Sequence, residues 1–110
     1  MAITVNLRYT GKDGSAKKFA EEMEASGTVQ AIRRESGNLR YEHWVSLADP
    51  ETVLLIDSWK DQAAIDAHHA SAMMKTIAEL RDRYDLHMTF ERYLSDEAGM
   101  PAEDRKFIRG

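Results

Sequence analysis

Hydrophobic and polar residues alternate with a period of two in three stretches of the chain, which is the pattern of a β-strand with two different faces. These stretches run from Ile3 to Tyr9, from Leu39 to Val45 and from Leu86 to Phe90. A further stretch, Thr52 to Trp59, is apolar on both sides, which is typical of a strand covered on both faces. The pattern therefore predicts four strands.

Between the strands, apolar residues recur at the spacing of amphipathic helices. This spacing predicts one pair of helices over residues 15–26 and 29–35 and a second pair over residues 61–69 and 71–84. The side chains expected to cap them are those of Ser15, Asp61 and Ser71. The apolar stripe of the last helix, for which core packing is the simplest explanation, is formed by Met73, Ile77, Leu80 and Tyr84.

The order strand, helices, strand, strand, helices, strand is the split βαβ arrangement of the ferredoxin-like α+β fold. In this fold, helices cover one face of an antiparallel sheet. We expect the other face to be apolar, and two such sheets packed together would bury it, so the pattern predicts a homodimer. Residues 1–94 are assigned to this domain, and residues 95–110 to a polar C-terminal tail that is either frayed or packed on a neighbouring subunit.

Composition limits the classes of partner. The chain has 110 residues, of which 43% are hydrophobic and 31% charged, as in ordinary globular proteins. A net charge of −4, with both signs interspersed, provides no basic surface for nucleic acid. The sequence has no cysteine, no signal-peptide pattern and no apolar run of the roughly 20 residues that cross a membrane. We therefore expect a soluble cytoplasmic protein without nucleic-acid or membrane partners.

The segment LIDSWKDQAAIDAHHASAMM places an acidic residue two positions before a tryptophan, followed by a charged turn and a helical histidine. These positions are Asp57, Trp59 and His68. The segment resembles the signature of the antibiotic biosynthesis monooxygenase family, and the order of elements agrees over residues 3–94. The resemblance implies a dimeric α/β barrel. It also implies the activity of several members, which oxidise quinols or polycyclic phenols with molecular oxygen and without metal, flavin or other cofactor.

Two departures from the relatives restrict what the resemblance implies. Ala72 and Met73 stand where the family usually has a proline and a second histidine, so a mechanism that needs that histidine is not supported. Relatives that degrade haem have tryptophan at the position of His68 and histidine at the position of Ala78. Because only Asn6 agrees with them, on the first strand, haem degradation is not supported either.

Four polar side chains are candidates for the chemistry. Imidazole changes its charge near neutral pH, so His68 is the predicted general base for a phenol or quinol, with a solvated or cap-forming histidine as the alternative. Trp59 Nε1 can only donate, and we expect it to hold an oxyanion or else to be part of the core. Asn6 offers a donor and an acceptor to a substrate oxygen. Asp57 is expected either to fix the imidazole of His68 or to be a surface carboxylate near Lys60.

The remaining candidates are substrate contacts. His69 is turned about 100° from His68 around the helix, so we expect only one of the two to point into a pocket. The predicted substrate-binding residues are Asp57, His69, Met73, Ile77 and Tyr84. No metal site is predicted, because the histidines and acidic residues lack the spacing of metal ligands.

Together these observations favour a homodimeric, cofactor-independent monooxygenase that oxidises a quinol or similar electron-rich phenol with molecular oxygen. Two other functions stay open. One is isomerisation of a small phosphorylated or hydroxylated ketone that serves as a signalling molecule, which needs acid–base groups but no oxygen. The other is a non-catalytic dimeric module that binds a hydrophobic ligand.

Overall fold

Four strands and four α-helices follow one another in the computed structural model, which describes residues 1–110. The strands are β1 (Ile3–Thr10), β2 (Asn38–Val45), β3 (Thr52–Trp59) and β4 (His87–Leu94). The helices are α1 (Ser15–Ala25), α2 (Thr28–Arg33), α3 (Gln62–His69) and α4 (Met73–Arg83), and a short 3₁₀ helix spans Ala102–Phe107.

The strands form one sheet in the order β2-β3-β1-β4, and every neighbouring pair is antiparallel. This topology confirms the predicted ferredoxin-like α+β fold, and the sheet of the single chain is open at β2 and β4. The register shifts between Asn38 and Arg40, so Leu39 does not share the buried face of Tyr41 as the alternation predicted. Leu39 is 58% exposed, whereas Tyr41 is buried.

The core lies between the sheet and the helices. Alternation along β3 directs Val53, Leu55 and Trp59 towards the helices, where all three are buried. Helix α1 covers them with residues at helical spacing, namely Ala16, Phe19, Ala20 and Met23.

Only one of the three predicted caps is present. Asp61 accepts a hydrogen bond from the Ala64 amide at 2.9 Å and caps α3, as predicted. The predictions for Ser15 and Ser71 are wrong. Ser15 is already inside α1, and the Ser71 hydroxyl donates to the His68 carbonyl at 2.6 Å instead of capping α4. Ser71 therefore closes the end of α3, and α4 starts at residue 73.

The face of the sheet that carries no helix is mixed in polarity, so the expectation of an apolar face is wrong. The Thr4 and Ser58 hydroxyls hydrogen-bond at 2.9 Å on this face, and Arg8 pairs with Glu91. Between these polar groups lie the apolar side chains of Trp44, Leu54 and Ile56. The dimer therefore stays a prediction.

The chain after β4 contacts the start of the domain and then runs over the surface. The Ser95 amide donates to the Ala2 carbonyl at 2.9 Å, and the Ser95 hydroxyl accepts from the Ala2 amide at 3.1 Å. Beyond this point Met100, Phe107 and Ile108 are exposed. No helix is both long and apolar enough to span a membrane.

Candidate functional site

A cavity of about 310 Å³ lies between the sheet and helices α3 and α4, within the size range of small-molecule sites. The sheet contributes its helix-facing side chains from all four strands. Ten of the sixteen lining residues are hydrophobic, namely Val5, Leu7, Tyr9, Tyr41, Trp59, Ile65, Met74, Ile77, Met88 and Phe90. The other six are Asp57, Gln62, His68, His69, Arg81 and Arg92.

Asp57 and Trp59 lie next to each other in this cavity because they are two positions apart on β3 and share its inner face. Trp59 is 1% exposed, and its Nε1 donates to Asp57 Oδ1 at 2.6 Å. Since this is the only donor of the indole ring, the prediction that Nε1 holds an oxyanion is wrong. Asp57 is buried, so it is not the surface carboxylate near Lys60 that was the alternative.

The partner of His68 is Glu35, which follows α2. The imidazole is 4% exposed, and its Nδ1 lies 2.7 Å from Glu35 Oε2. When the Glu35 carboxyl group is ionised it can only accept, so Nδ1 donates this hydrogen bond and a neutral imidazole keeps Nε2 as its basic nitrogen. The ring also stacks on Trp59, with centroids 4.7 Å apart. Asp57 was expected to fix this imidazole, but Glu35 and Trp59 do so instead.

The carboxyl group of Asp57 can exchange a proton near neutral pH. Its pKa is raised to about 7: burial is the main cause, the hydrogen bond from Trp59 opposes the rise, and the negative charge of Glu35 adds to it. The cavity thus contains two acid–base groups, the imidazole of His68 and this carboxyl group.

Two phenol groups supply hydrogen-bond donors. Tyr9 and Tyr41 are each 2% exposed and line the cavity, and neither hydroxyl donates to another group of the protein. Burial raises the pKa of Tyr9 to about 12 and that of Tyr41 well above its ordinary value. Both phenols therefore stay protonated at neutral pH and can donate to an oxygen atom of a ligand.

Asn6 does not belong to this site. It pairs with Ile56 on one side and Glu91 on the other, on the face of the sheet that carries no helix. Because side chains alternate along β1, Asn6 points away from the cavity that Val5 and Leu7 line. The prediction that Asn6 and His68 act on one substrate is therefore wrong in this geometry.

The other predicted contacts are divided between the cavity and its surroundings. Ile77 lines the cavity, as predicted. His68 and His69 both line it, the first buried and the second exposed, so the expectation that only one of these histidines could reach the cavity is wrong. Met73 packs on the core while Met74 lines the cavity. Tyr84 lies outside, where its hydroxyl donates to a glutamate of α1.

Sequence reasoning missed several residues of the site. Tyr9 and Tyr41 could have been found, because each lies between polar neighbours in an alternating strand pattern, which places the tyrosine on the inner face of the sheet. Arg81 could have been found from the spacing of three and four residues that it shares with Met74 and Ile77. Glu35 gave no local signal, because it contacts His68 across 33 positions of sequence. No group of three or more potential metal-ligating side chains lies close enough together to hold a metal ion.

Comparison with known proteins gives a family and a fold. Residues 2–80 match the model of a family described as antibiotic biosynthesis monooxygenase. A curated Bacillus subtilis (strain 168) protein, YcnE, named as a candidate monooxygenase, is 35% identical over 49 residues. These residues are 44% of this chain and 52% of YcnE, so the match spans about half the length of that relative.

Two solved structures share the fold over nearly their whole length. A candidate antibiotic biosynthesis monooxygenase from Deinococcus radiodurans superimposes with a TM-score of 0.76 and 20% identity, covering 92% of this chain and 98% of that one. A conserved protein from Methanosarcina mazei Go1 gives a TM-score of 0.75 and 23% identity, covering 87% of this chain and 94% of that one.

Proposed function

The chain belongs to the antibiotic biosynthesis monooxygenase family, and from that premise we propose that it is a cofactor-independent monooxygenase that oxidises a quinol or similar electron-rich phenol with molecular oxygen. The observation that carries the proposal is that His68 lines a mostly hydrophobic cavity and is paired with Glu35. A base held in one orientation beside an apolar cavity suits the deprotonation of a phenol.

In the proposed reaction, Nε2 of His68 takes the phenolic proton, and Glu35 stabilises the imidazolium that forms. The phenolate transfers one electron to O₂, and the resulting radical and superoxide combine through a carbon–oxygen bond. The peroxide then loses water and leaves a carbonyl group. One oxygen atom stays in the hydroxyquinone, the other leaves as water, and the substrate supplies all four electrons, so no cofactor is required by the balance.

The other polar groups of the cavity have roles in the same sequence. The Tyr9 and Tyr41 hydroxyls donate to the substrate oxygen and stabilise its negative charge. Asp57, whose pKa is raised to about 7 by burial, is protonated in part at neutral pH and supplies a proton when the peroxide breaks. Trp59 holds this carboxyl group by its hydrogen bond and positions His68 by stacking.

The test is oxygen uptake by metal-stripped protein with a naphthoquinol, for the wild type and three variants. We expect His68→Gln to lower kcat by about 100-fold or more, as for loss of a general base, and Glu35→Gln to lower it by about tenfold through loss of orientation. His87→Gln is the matched control, because His87 is exposed outside the cavity.

Wild-type uptake no faster than the uncatalysed rate would contradict the proposal. If the quinol still raised Tm in that case, a non-catalytic ligand-binding module would be favoured. Turnover of a hydroxy-ketone in the absence of oxygen would favour the isomerase.

The same family membership supports a homodimer, which we propose forms through the helix-free face of the sheet. Trp44, Leu54 and Ile56 give this face its apolar part. Sedimentation at micromolar concentration should give twice the monomer mass, and Leu54→Lys should yield monomers. A monomeric wild-type protein would contradict the dimer.

A further inference from the structure

Two arginines line the cavity on its β4 side, and neither forms an ion pair with a glutamate. Arg92, on β4, donates to the neutral amide oxygen of Gln62 and has no carboxylate within 4.0 Å. Arg81, on α4, points a guanidinium nitrogen at the Met88 sulfur at 3.6 Å. Its nearest carboxylate is that of Asp82, which is 3.9 Å away and 81% exposed. A guanidinium with a neutral or solvated partner keeps donors for an anion.

Other arginines of the sheet and helices are paired differently. Arg8, Arg33, Arg40 and Arg83 each form an ion pair with a glutamate side chain. The chain contains 19 acidic and 15 basic residues, so carboxylates are not scarce. Arg92 thus has a neutral partner and Arg81 a solvated aspartate, whereas four arginines on the strands and α-helices pair with glutamates.

The cavity lining between the two arginines is apolar. Met88 and Arg92 lie on one face of β4, about 13 Å apart along the strand. Phe90 lies between them and is 70% exposed although it lines the cavity. An aromatic ring stacked on Phe90 would bury this surface and would bring its substituents within reach of a guanidinium.

We propose that the ligand of this cavity is an aromatic compound carrying an oxyanion, a carboxylate or a phosphate ester, which Arg92 and Arg81 bind at the β4 side. The proposal rests on the proposed function for the phenolic end of the ligand, which faces Tyr9, Asp57 and His68. The anionic group sits at the opposite end and leaves the phenol oriented towards the base.

The test is anaerobic calorimetry with three probes that do not require turnover. The probes are 1-hydroxy-2-naphthoate, 1-naphthyl phosphate and uncharged 1-naphthol. We expect the wild type to bind at least one anion about tenfold or more tightly than the naphthol, since charge-assisted hydrogen bonds to arginine are stronger than neutral ones. The preferred probe shows whether the site takes a carboxylate or a phosphate ester. Added salt should weaken the binding of that anion more than the binding of naphthol.

Variants assign the preference to its residues. In the double variant R81M/R92M, the anions should bind within about twofold of the naphthol, because methionine keeps the apolar stem and removes the charge. Unchanged naphthol affinity shows that this variant is folded. R83M is the matched control, because Arg83 lies on the same helix and pairs with Glu22 outside the cavity, and it should keep the wild-type preference.

The inference is overturned if naphthol binds as tightly as both anions, if no anion binds, or if the preference survives in R81M/R92M. Oxygen uptake with an uncharged quinol is measured separately. If the wild type takes up oxygen but shows no preference for the anions, only this inference is overturned. If the wild type prefers an anion but takes up no oxygen, only the proposed oxygenase function is overturned.

Discussion

Replacing Asp57 by asparagine should stabilise the protein above neutral pH. Burial raises the pKa of this carboxyl group from 3.8 to about 7. Between these two values the folded protein binds more protons than the unfolded chain. The contribution of Asp57 to stability is therefore most favourable below about pH 4 and is lost as the pH rises through 7. Asparagine keeps an oxygen that accepts from Trp59 Nε1 and has no charge to bury.

The size of the effect follows from the two pKa values. Relative to the unfolded chain, the raised pKa of the buried carboxyl group destabilises the fold by roughly 2 kcal/mol at pH 5, where the folded protein keeps the group protonated, and by roughly 4 kcal/mol at pH 8. The free energy of unfolding of the wild type should thus fall by roughly 2 to 3 kcal/mol more than that of Asp57→Asn between these pH values. In a domain of this size, that difference corresponds to about 10 °C or more in Tm.

The assay is urea unfolding of both proteins at pH 5 and pH 8. Titrating groups that do not interact with Asp57 behave alike in the two proteins and cancel in the comparison. Asp82→Asn is the control, because Asp82 is exposed on α4, and its pH dependence should match that of the wild type. Equal pH dependence of the wild type and Asp57→Asn would refute the view that the buried carboxyl group of Asp57 stays protonated at pH 5 in the folded protein.

Three further predictions concern other parts of the domain. Burial lowers the pKa of His43 to about 4, so the unfolded chain binds more protons at this histidine as the pH falls. Between pH 8 and pH 5 the free energy of unfolding should therefore fall by about 2 kcal/mol more in the wild type than in His43→Phe, as measured by urea unfolding at both pH values. A Cβ at Gly37 would lie 2.7 Å from a side-chain carbon of α3, whereas Gly99 has a similar positive φ and open space around it. Chemical unfolding should therefore find Gly37→Ala about 2 kcal/mol less stable than Gly99→Ala, and equal stability would exclude the close approach. In Trp59→Phe, loss of the indole donor should move the carboxyl titration of Asp57, followed by ¹³C NMR, to higher pH; a lower midpoint would contradict the hydrogen bond.

Most of the fold could be predicted because it depends on local periodicity. The strands and helices follow from alternation and helical spacing, and their order is that of the ferredoxin-like fold. The error at Leu39 arose because a register shift at the start of β2 turns Leu39 away from the buried face of the sheet, although the alternation of apolar and polar residues in the sequence continues. The polarity of the helix-free face was misjudged because the apolar outer positions of β3 were taken to represent the whole face, whereas the outer positions of β1 and β4 include polar residues such as Arg8 and Glu91.

The site could be predicted only where its residues are close in sequence. Asp57, Trp59 and His68 lie within twelve positions and meet in the cavity, as the segment suggested. Their hydrogen bonds could not be predicted, because the partner of His68 is Glu35, which follows α2 and is distant in sequence. Asp57 instead accepts a hydrogen bond from Trp59. Asn6 was assigned to the site from its match to relatives and from the donor and acceptor of its amide, and the alternation of β1 excludes it from the cavity.

The central claim is that this chain inserts one atom of molecular oxygen into a phenolic substrate without a cofactor. Mass spectrometry of the product formed from a naphthoquinol under ¹⁸O₂ by metal-stripped protein tests it most directly, with a parallel reaction in H₂¹⁸O to correct for exchange. We predict a hydroxyquinone that carries one ¹⁸O atom, and a rate that falls about 100-fold or more in His68→Gln. A product without ¹⁸O from the gas, or equal incorporation in His68→Gln, would contradict the account.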